Sequence, residues 1–378
     1  MTPDQIGPVL SRTKPRLLAV VFAVMVVLFV VTGLVTGFYN REKRSRAEQQ
    51  FEAGQKLTKA GEYEKAVEMY SEALTLSRGK GRYRQYLQAL ALALVKAGRA
   101  SEAETYLSEL TAADPANGIA NLMLARIYLG EGDRERAMQH YQRAIYGLWD
   151  NDPVGNRIKV RFELVDVLEK NGEYREVVAE LFRLLDEIPD DPEMKNHIGR
   201  LFLAAHAYNE AAALYTEVTQ NHRRDAAAWA GLGDAEFEMG HYLSARTAYR
   251  QALRYAPEDL QSQMQYDLAS EVIGLDPMLR RLGSATRLAR SQKLVSRALK
   301  AIEYCLPEDL ETLPEEFRKK LEEARAISQN KARQKRSAEA VEQNIALAEA
   351  LEAYRRENCG IPSVPDQALE LVLKKLAQ

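Results

Sequence analysis

Any chemistry in this chain would have to come from five histidines, two cysteines and the usual carboxylates and guanidiniums, so their spacing is informative. His140, His197, His206, His222 and His241 form no His-Glu-x-x-His pair, nor any other spacing that would bring two imidazoles to one metal ion. Cys305 and Cys359 lie outside any Cys-x-x-Cys, which excludes zinc ribbons and thioredoxin-like redox pairs. Gly79, Lys80 and Gly81 make too short a loop to cradle a phosphate, and no serine stands in a nucleophile elbow. The expectation is a protein that is not an enzyme and that takes no cofactor and no catalytic metal.

The charges are more informative. Between Leu279 and Lys300 lie Arg280, Arg281, Arg287, Arg290, Lys293, Arg297 and Lys300, with no acid. The last five recur every three or four residues, which places them along one stripe of a helix. Such a basic surface suits an acidic protein, an anionic lipid surface or a nucleic acid. The acids that follow, Glu303, Glu308, Asp309, Glu311, Glu315 and Glu316, offer it a partner within the chain. The net charge of −2 gives no overall field for nucleic acid, and none is expected as a partner.

The cysteines pose a linked question. One straight helix over 314–357 would be roughly 65 Å long and would hold the two sulfurs far apart. Residues 328–337 carry almost no apolar side chain, and a reversal there would return Cys359 to Cys305 as a disulfide. Both arrangements fit the residues.

The elements that position these groups are helical. Residues 17–38 contain no charge and are rich in Val, Leu and Phe, a run of roughly 33 Å as a helix, against a hydrocarbon core of about 30 Å. The run exceeds the apolar core of a signal peptide and ends in Tyr39, Arg41, Lys43, Arg44 and Arg46, which predicts an uncleaved transmembrane helix at 17–39 behind a disordered tail, 1–16. Basic residues on both sides leave the positive-inside rule without a bias. A short N-terminal tail and two cysteines in the large part favour a bacterial inner-membrane anchor with the rest in the periplasm.

The middle of the chain repeats. Gly61, Gly98, Gly132, Gly172, His206 and Gly240 occupy one turn position. Seven residues earlier stand Gly54, Ala91, Ala125, Val165, Gly199 and Gly233; nine later stand Tyr70, Leu107, Tyr141, Leu181, Tyr215 and Tyr249. Small residues recur five after each turn, from Ala66 to Ala245. Prolines near unit ends, Pro115, Pro192 and Pro257, suit the first turn of the next helix. Three extra residues fall near 78–82 and about six within 146–155, where Trp149 is either an exposed anchor or the closure of an extended helix against the next unit. Trp229 and Leu232 are expected in the seam between helices.

In period and residue types this pattern resembles the tetratricopeptide repeat. The resemblance covers about residues 47–259 and implies six helix–turn–helix units (about 47–80, 84–117, 118–151, 158–191, 192–225 and 226–259). It makes the chain all-α: an N-terminal transmembrane helix, a six-unit helical solenoid and a helical C-terminal capping domain at 260–378, in which no family is recognised. It also implies a groove lined by first-helix residues: Phe51, Gln55, Gln88, Leu92, Leu122, Arg126, Phe162, Asp166, Asn196, Arg200, Ala230 and Asp234. Asn196 and Arg200, four apart on one face, form a pair that can hold a peptide carboxylate, although repeat four offers Phe162 and Asp166 in place of a matching clamp. The expected function is a membrane-anchored scaffold or adaptor binding a protein segment in that groove; the alternative is an anchored chaperone for envelope-protein or cytochrome maturation.

Overall fold

The computed structural model describes residues 15–77, 82–303, 306, 310–329, 334–359 and 366–377, with side chains from residue 19. Cys305 and the first insertion, at 78–81, lie outside them. Seventeen α-helices and one short 3-10 turn follow in order, and no strand occurs among the described residues. The chain packs as two compact units that part inside the seventh helix, one ending at Leu164 and the other beginning at Val165.

The first unit starts with α1 (Pro15–Lys59), a single helix of 45 residues. The anchor expected at 17–39 and the first helix of the first repeat are thus one rod, roughly 67 Å long. No proline or glycine stands between them: from Arg41 to Gln50 the chain is mostly Arg, Glu, Lys, Ala and Gln, good helix formers. Apolar side chains from Val20 to Phe38 are exposed, whereas Ala47 and Phe51 are buried. This helix is long and apolar enough to cross a membrane. Next come α2 (Tyr63–Ser77), α3 (Tyr83–Lys96), α4 (Ala100–Ala113), α5 (Gly118–Gly130), α6 (Arg134–Ile145) and the start of α7 (Pro153–Lys170).

The second unit holds the rest of α7, then α8 (Tyr174–Glu187), α9 (Pro192–Ala204), α10 (Tyr208–Asn221), α11 (Ala226–Glu238) and α12 (Tyr242–Tyr255). Within each unit, the aligned sequence columns have a packing cause. A Cβ added to Gly54 would stand 2.6 Å from Tyr70, one on Gly199 2.5 Å from Tyr215, and one on Gly233 2.5 Å from Tyr249. The large ring nine residues past each of these turns therefore lies on the glycine seven before it. Gly231 serves the preceding repeat, since its missing side chain is also filled by Tyr215. Five turn glycines adopt φ of +72° to +80°, the left-handed conformation that ends a helix; His206 takes φ +57° without that freedom.

Three expectations need correction. Pro192 does open α9 behind the N-cap Asp191, but Pro115 and Pro257 precede their helices by a short turn, and Asn117 and Asp259 supply the caps. Trp149 packs backward: its indole fills the space beside Gly118 at the start of its own repeat and donates Nε1–H to the Ala144 carbonyl at 3.0 Å. The pairing of Leu148 with Asn117 turns the chain that way. Trp229 and Leu232 are only half-buried, and the Trp229 Nε1–H is held by the Arg223 carbonyl at 2.9 Å.

The remaining helices are α13 (Leu260–Leu275), α14 (Ser284–Glu303), α15 (Glu315–Ser328), α16 (Ala338–Asn358) and α17 (Gln367–Leu376). They share a core with Tyr242 of the last repeat, centred on Leu275, Leu294, Leu321, Leu351 and Leu369. The helical stretch 314–357 is broken after Ser328 and reverses: Phe317 early in α15 stacks on Tyr354 late in α16, with ring centroids 4.0 Å apart. Asp366 caps α17, accepting from the Leu369 amide.

Candidate binding face on the first helices

The expected groove residues fall in two columns, ten and six residues before each turn. The outer column is largely spent on packing. Phe51, Leu122 and Asn196 are buried; Gln88, Phe162 and Ala230 are half-buried. The inner column is the one that meets solvent: Gln55, Arg126, Asp166 and Arg200 are exposed, while Leu92 and Asp234 are half-buried. One helical turn separates the columns.

In the first unit, Arg126 on α5 forms a two-point fork with Glu163 on α7, Nε to Oε1 at 2.7 Å and Nη2 to Oε2 at 2.5 Å. The Tyr141 hydroxyl on α6 donates to the same Oε1 at 2.8 Å. Burial opposes ionisation of Glu163, but hydrogen bonds from Arg126 and Tyr141 outweigh it and hold the carboxyl below its ordinary range. The same bonds raise Arg126. Sequence reasoning found Arg126 and missed Glu163, which stands one residue from the expected column, beside Phe162.

In the second unit, Asn196 and Arg200 have different surroundings. Asn196 Nδ2 donates to Asp225 Oδ2 at 2.8 Å, while the other oxygen of Asp225 caps α11 through the Ala228 amide. Arg200 lies exposed, its Nη2 3.5 Å from His197 Nδ1. On α11, Asp234 accepts from the Tyr249 hydroxyl at 2.8 Å; burial nonetheless pushes its carboxyl above the ordinary range.

The basic stripe on α14 is largely turned inward. Arg290 Nη1 donates to the Ile273 and Asp276 carbonyls, closing the C-terminal end of α13 at 2.7 and 2.9 Å. Arg297 pairs with Glu271 and, at 3.1 Å, with Asp366. Arg287 Nε donates to the Leu282 carbonyl at 3.3 Å. Only Lys293 and Lys300 of the five are exposed. The acids described as meeting Arg297 thus lie before the stripe, at Glu271, and well after it, at Asp366. Cys359, at the end of α16, is in a disulfide rather than free. No group of three His, Cys, Asp or Glu suited to a metal ion occurs among the described residues.

Two family models described as tetratricopeptide repeat match the chain, over residues 89–154 and 202–265. No curated protein matches it. Among solved structures it is similar to the C-terminal part of a TPR repeat-containing protein from Cytophaga hutchinsonii, at 15% identity over 64% of this chain and 93% of that one, TM-score 0.44. It is also similar to YrrB, described as a TPR protein with an unusual peptide-binding site, at 15% identity over 53% and 99%, TM-score 0.39. A third is the TPR2AB domain of yeast Sti1 in its pHSP90 complex, at 16% identity over 81% and 99%, TM-score 0.32.

Proposed function

We propose that this chain, a tetratricopeptide-repeat protein, is a scaffold that holds a segment of another protein on its first-helix faces and is fixed to a membrane by α1. The observation that carries this reading is the division of labour between the columns. Packing consumes the outer column, and the exposed inner column varies from Gln55 to Arg126, Asp166 and Arg200. Within each unit, a face whose packing positions are largely buried and whose exposed positions differ repeat by repeat can select a partner segment. The anchor would place that face beside a bacterial inner membrane, on the periplasmic side. The disulfide at Cys359, with Cys305 as the expected other half, supports an oxidising compartment.

The test is site-specific photocrosslinking in native membranes from positions 126, 166 and 200, with 246 on the second helix of the last repeat as a control. A scaffold gives a folded partner at 126, or at 166 and 200, and not at the control. Weak capture of an unfolded client or its terminus would favour maturation chaperoning instead, and no crosslink above the control would sink both.

A further inference from the structure

Where α1 leaves its apolar run, it forms one wall of a cavity of about 620 Å³, closed by the end of α2 and the start of α3. Lys43 and Arg44 come from α1, Ser77 from α2, and Arg82 and Tyr86 from the entry to α3. Glu48, one turn further along α1, ion-pairs with Arg82. Three cations against one carboxylate leave the cavity positive. Arg44 lies close enough to Tyr86 for its charge to favour the phenolate, although burial dominates and keeps that hydroxyl protonated. Lys43 Nζ stands 4.9 Å over the Tyr39 ring, which draws it toward the apolar end of the helix. Arg82 occupies the N-cap position of α3 without a side-chain cap bond, so the positive end of that helix adds to the field.

The continuity of α1 fixes where this cavity sits. Arg44 lies five residues past Tyr39, roughly 7 Å along the helix axis. The polar headgroup layer is roughly 5–8 Å deep on each side of the hydrocarbon core. With residues 17–38 in hydrocarbon, Lys43 and Arg44 stand at the outer edge of the headgroup layer, within side-chain reach of lipid phosphates, and Arg82 faces them from the entry to α3.

We propose that this cavity seats the phosphate of an anionic phospholipid between Lys43, Arg44 and Arg82, making the first repeat itself a headgroup-binding site. The proposal rests on the insertion of α1 read above. A bound headgroup would tie α1, α2 and α3 together and lock the angle at which the repeats leave the membrane.

Native mass spectrometry of the full chain, released from phosphatidylcholine bilayers containing phosphatidylglycerol, tests it. The unaltered chain should retain one phosphatidylglycerol. Lys43→Gln with Arg44→Gln removes two charge-assisted contacts and should lower retention about tenfold or more. Arg41→Gln with Arg46→Gln removes two collar charges outside the cavity and should leave retention unchanged. Glu48→Gln removes the competing carboxylate and should raise retention, an effect that loss of folding cannot mimic. Equal loss from the Arg41 and Arg46 pair would overturn the site in favour of a diffuse basic collar. Displacement of the lipid by millimolar inorganic phosphate would overturn the lipid in favour of a free anion. A chain that stays in phosphatidylcholine bilayers but retains no phosphatidylglycerol overturns this inference alone; a chain that fails to stay in any bilayer overturns the anchoring reading with it.

Discussion

Arg126 and Glu163, 37 residues apart in sequence, meet as a bidentate fork whose carboxylate is also held by Tyr141. The Arg126 guanidinium on the candidate binding face is therefore already engaged. An acidic ligand segment must compete with Glu163, and Glu163→Gln should tighten binding of an acidic segment while costing about 1 kcal/mol of stability, a figure kept small because the pair is partly solvated. A binding titration with the crosslinked partner's segment, beside a denaturant curve, checks both signs. The depressed carboxyl of Glu163 adds stability that is present above the ordinary carboxylate range and lost as pH falls through its folded value. The variant should therefore lose less than the parent on acidification.

Asp234 has the opposite sign. Its carboxyl is raised by burial, so its contribution is fully present below the ordinary aspartate value and is lost as pH rises through the folded one. Asp234→Asn should stabilise the protein at neutral pH and do nothing near pH 3, where both forms are uncharged. Thermal unfolding across that range would show a gap opening with pH; a gap independent of pH would mean that the Tyr249 bond, not the charge, controls the site.

The glycines beneath the tyrosines should be intolerant. Gly233→Ala drives a methyl into the Tyr249 ring and should cost about 1–3 kcal/mol by overpacking. Adding Tyr249→Leu to that variant should cost less than the sum of the two single changes, which a double-mutant cycle in urea would measure. Strict additivity would deny the contact.

Among the six repeat turns, that of His206 has a side chain in the left-handed conformation where the other five have glycine, helped by the Tyr208 hydroxyl at 2.8 Å and a ring contact to Tyr174. His206→Val, β-branched at that φ, should destabilise by about 1–3 kcal/mol. His206→Gly should change stability far less, because relief of strain offsets the lost contacts. Equal losses in the two variants would show that the contacts, not the backbone, matter.

The Cys305–Cys359 bridge is expected to leave intact protein from the native envelope two hydrogen masses lighter than its reduced form. Cys359→Ser should then cost about 4 kcal/mol, since the closed loop is long. Two alkylatable thiols in unreduced protein would remove both the bridge and its support for an oxidising compartment.

The sequence by itself determined the repeat. Small residues, large apolar side chains and turn glycines recur at fixed offsets because the large side chain packs on the small position, as Gly54 with Tyr70 and Gly233 with Tyr249 show. The apolar run and the Asp366 cap were legible for the same reason: each is a local pattern with a local cause. Tertiary structure decided what depended on partners distant in the chain. It gave Arg126 to Glu163 and Arg290 to the end of α13, and turned Trp149 back onto Gly118. It also joined the apolar run and the first repeat in one helix and set Arg82 beside Glu48. Spacing along a helix says which face a charge occupies; only the packed neighbours decide whether that charge is free for a ligand or already spent.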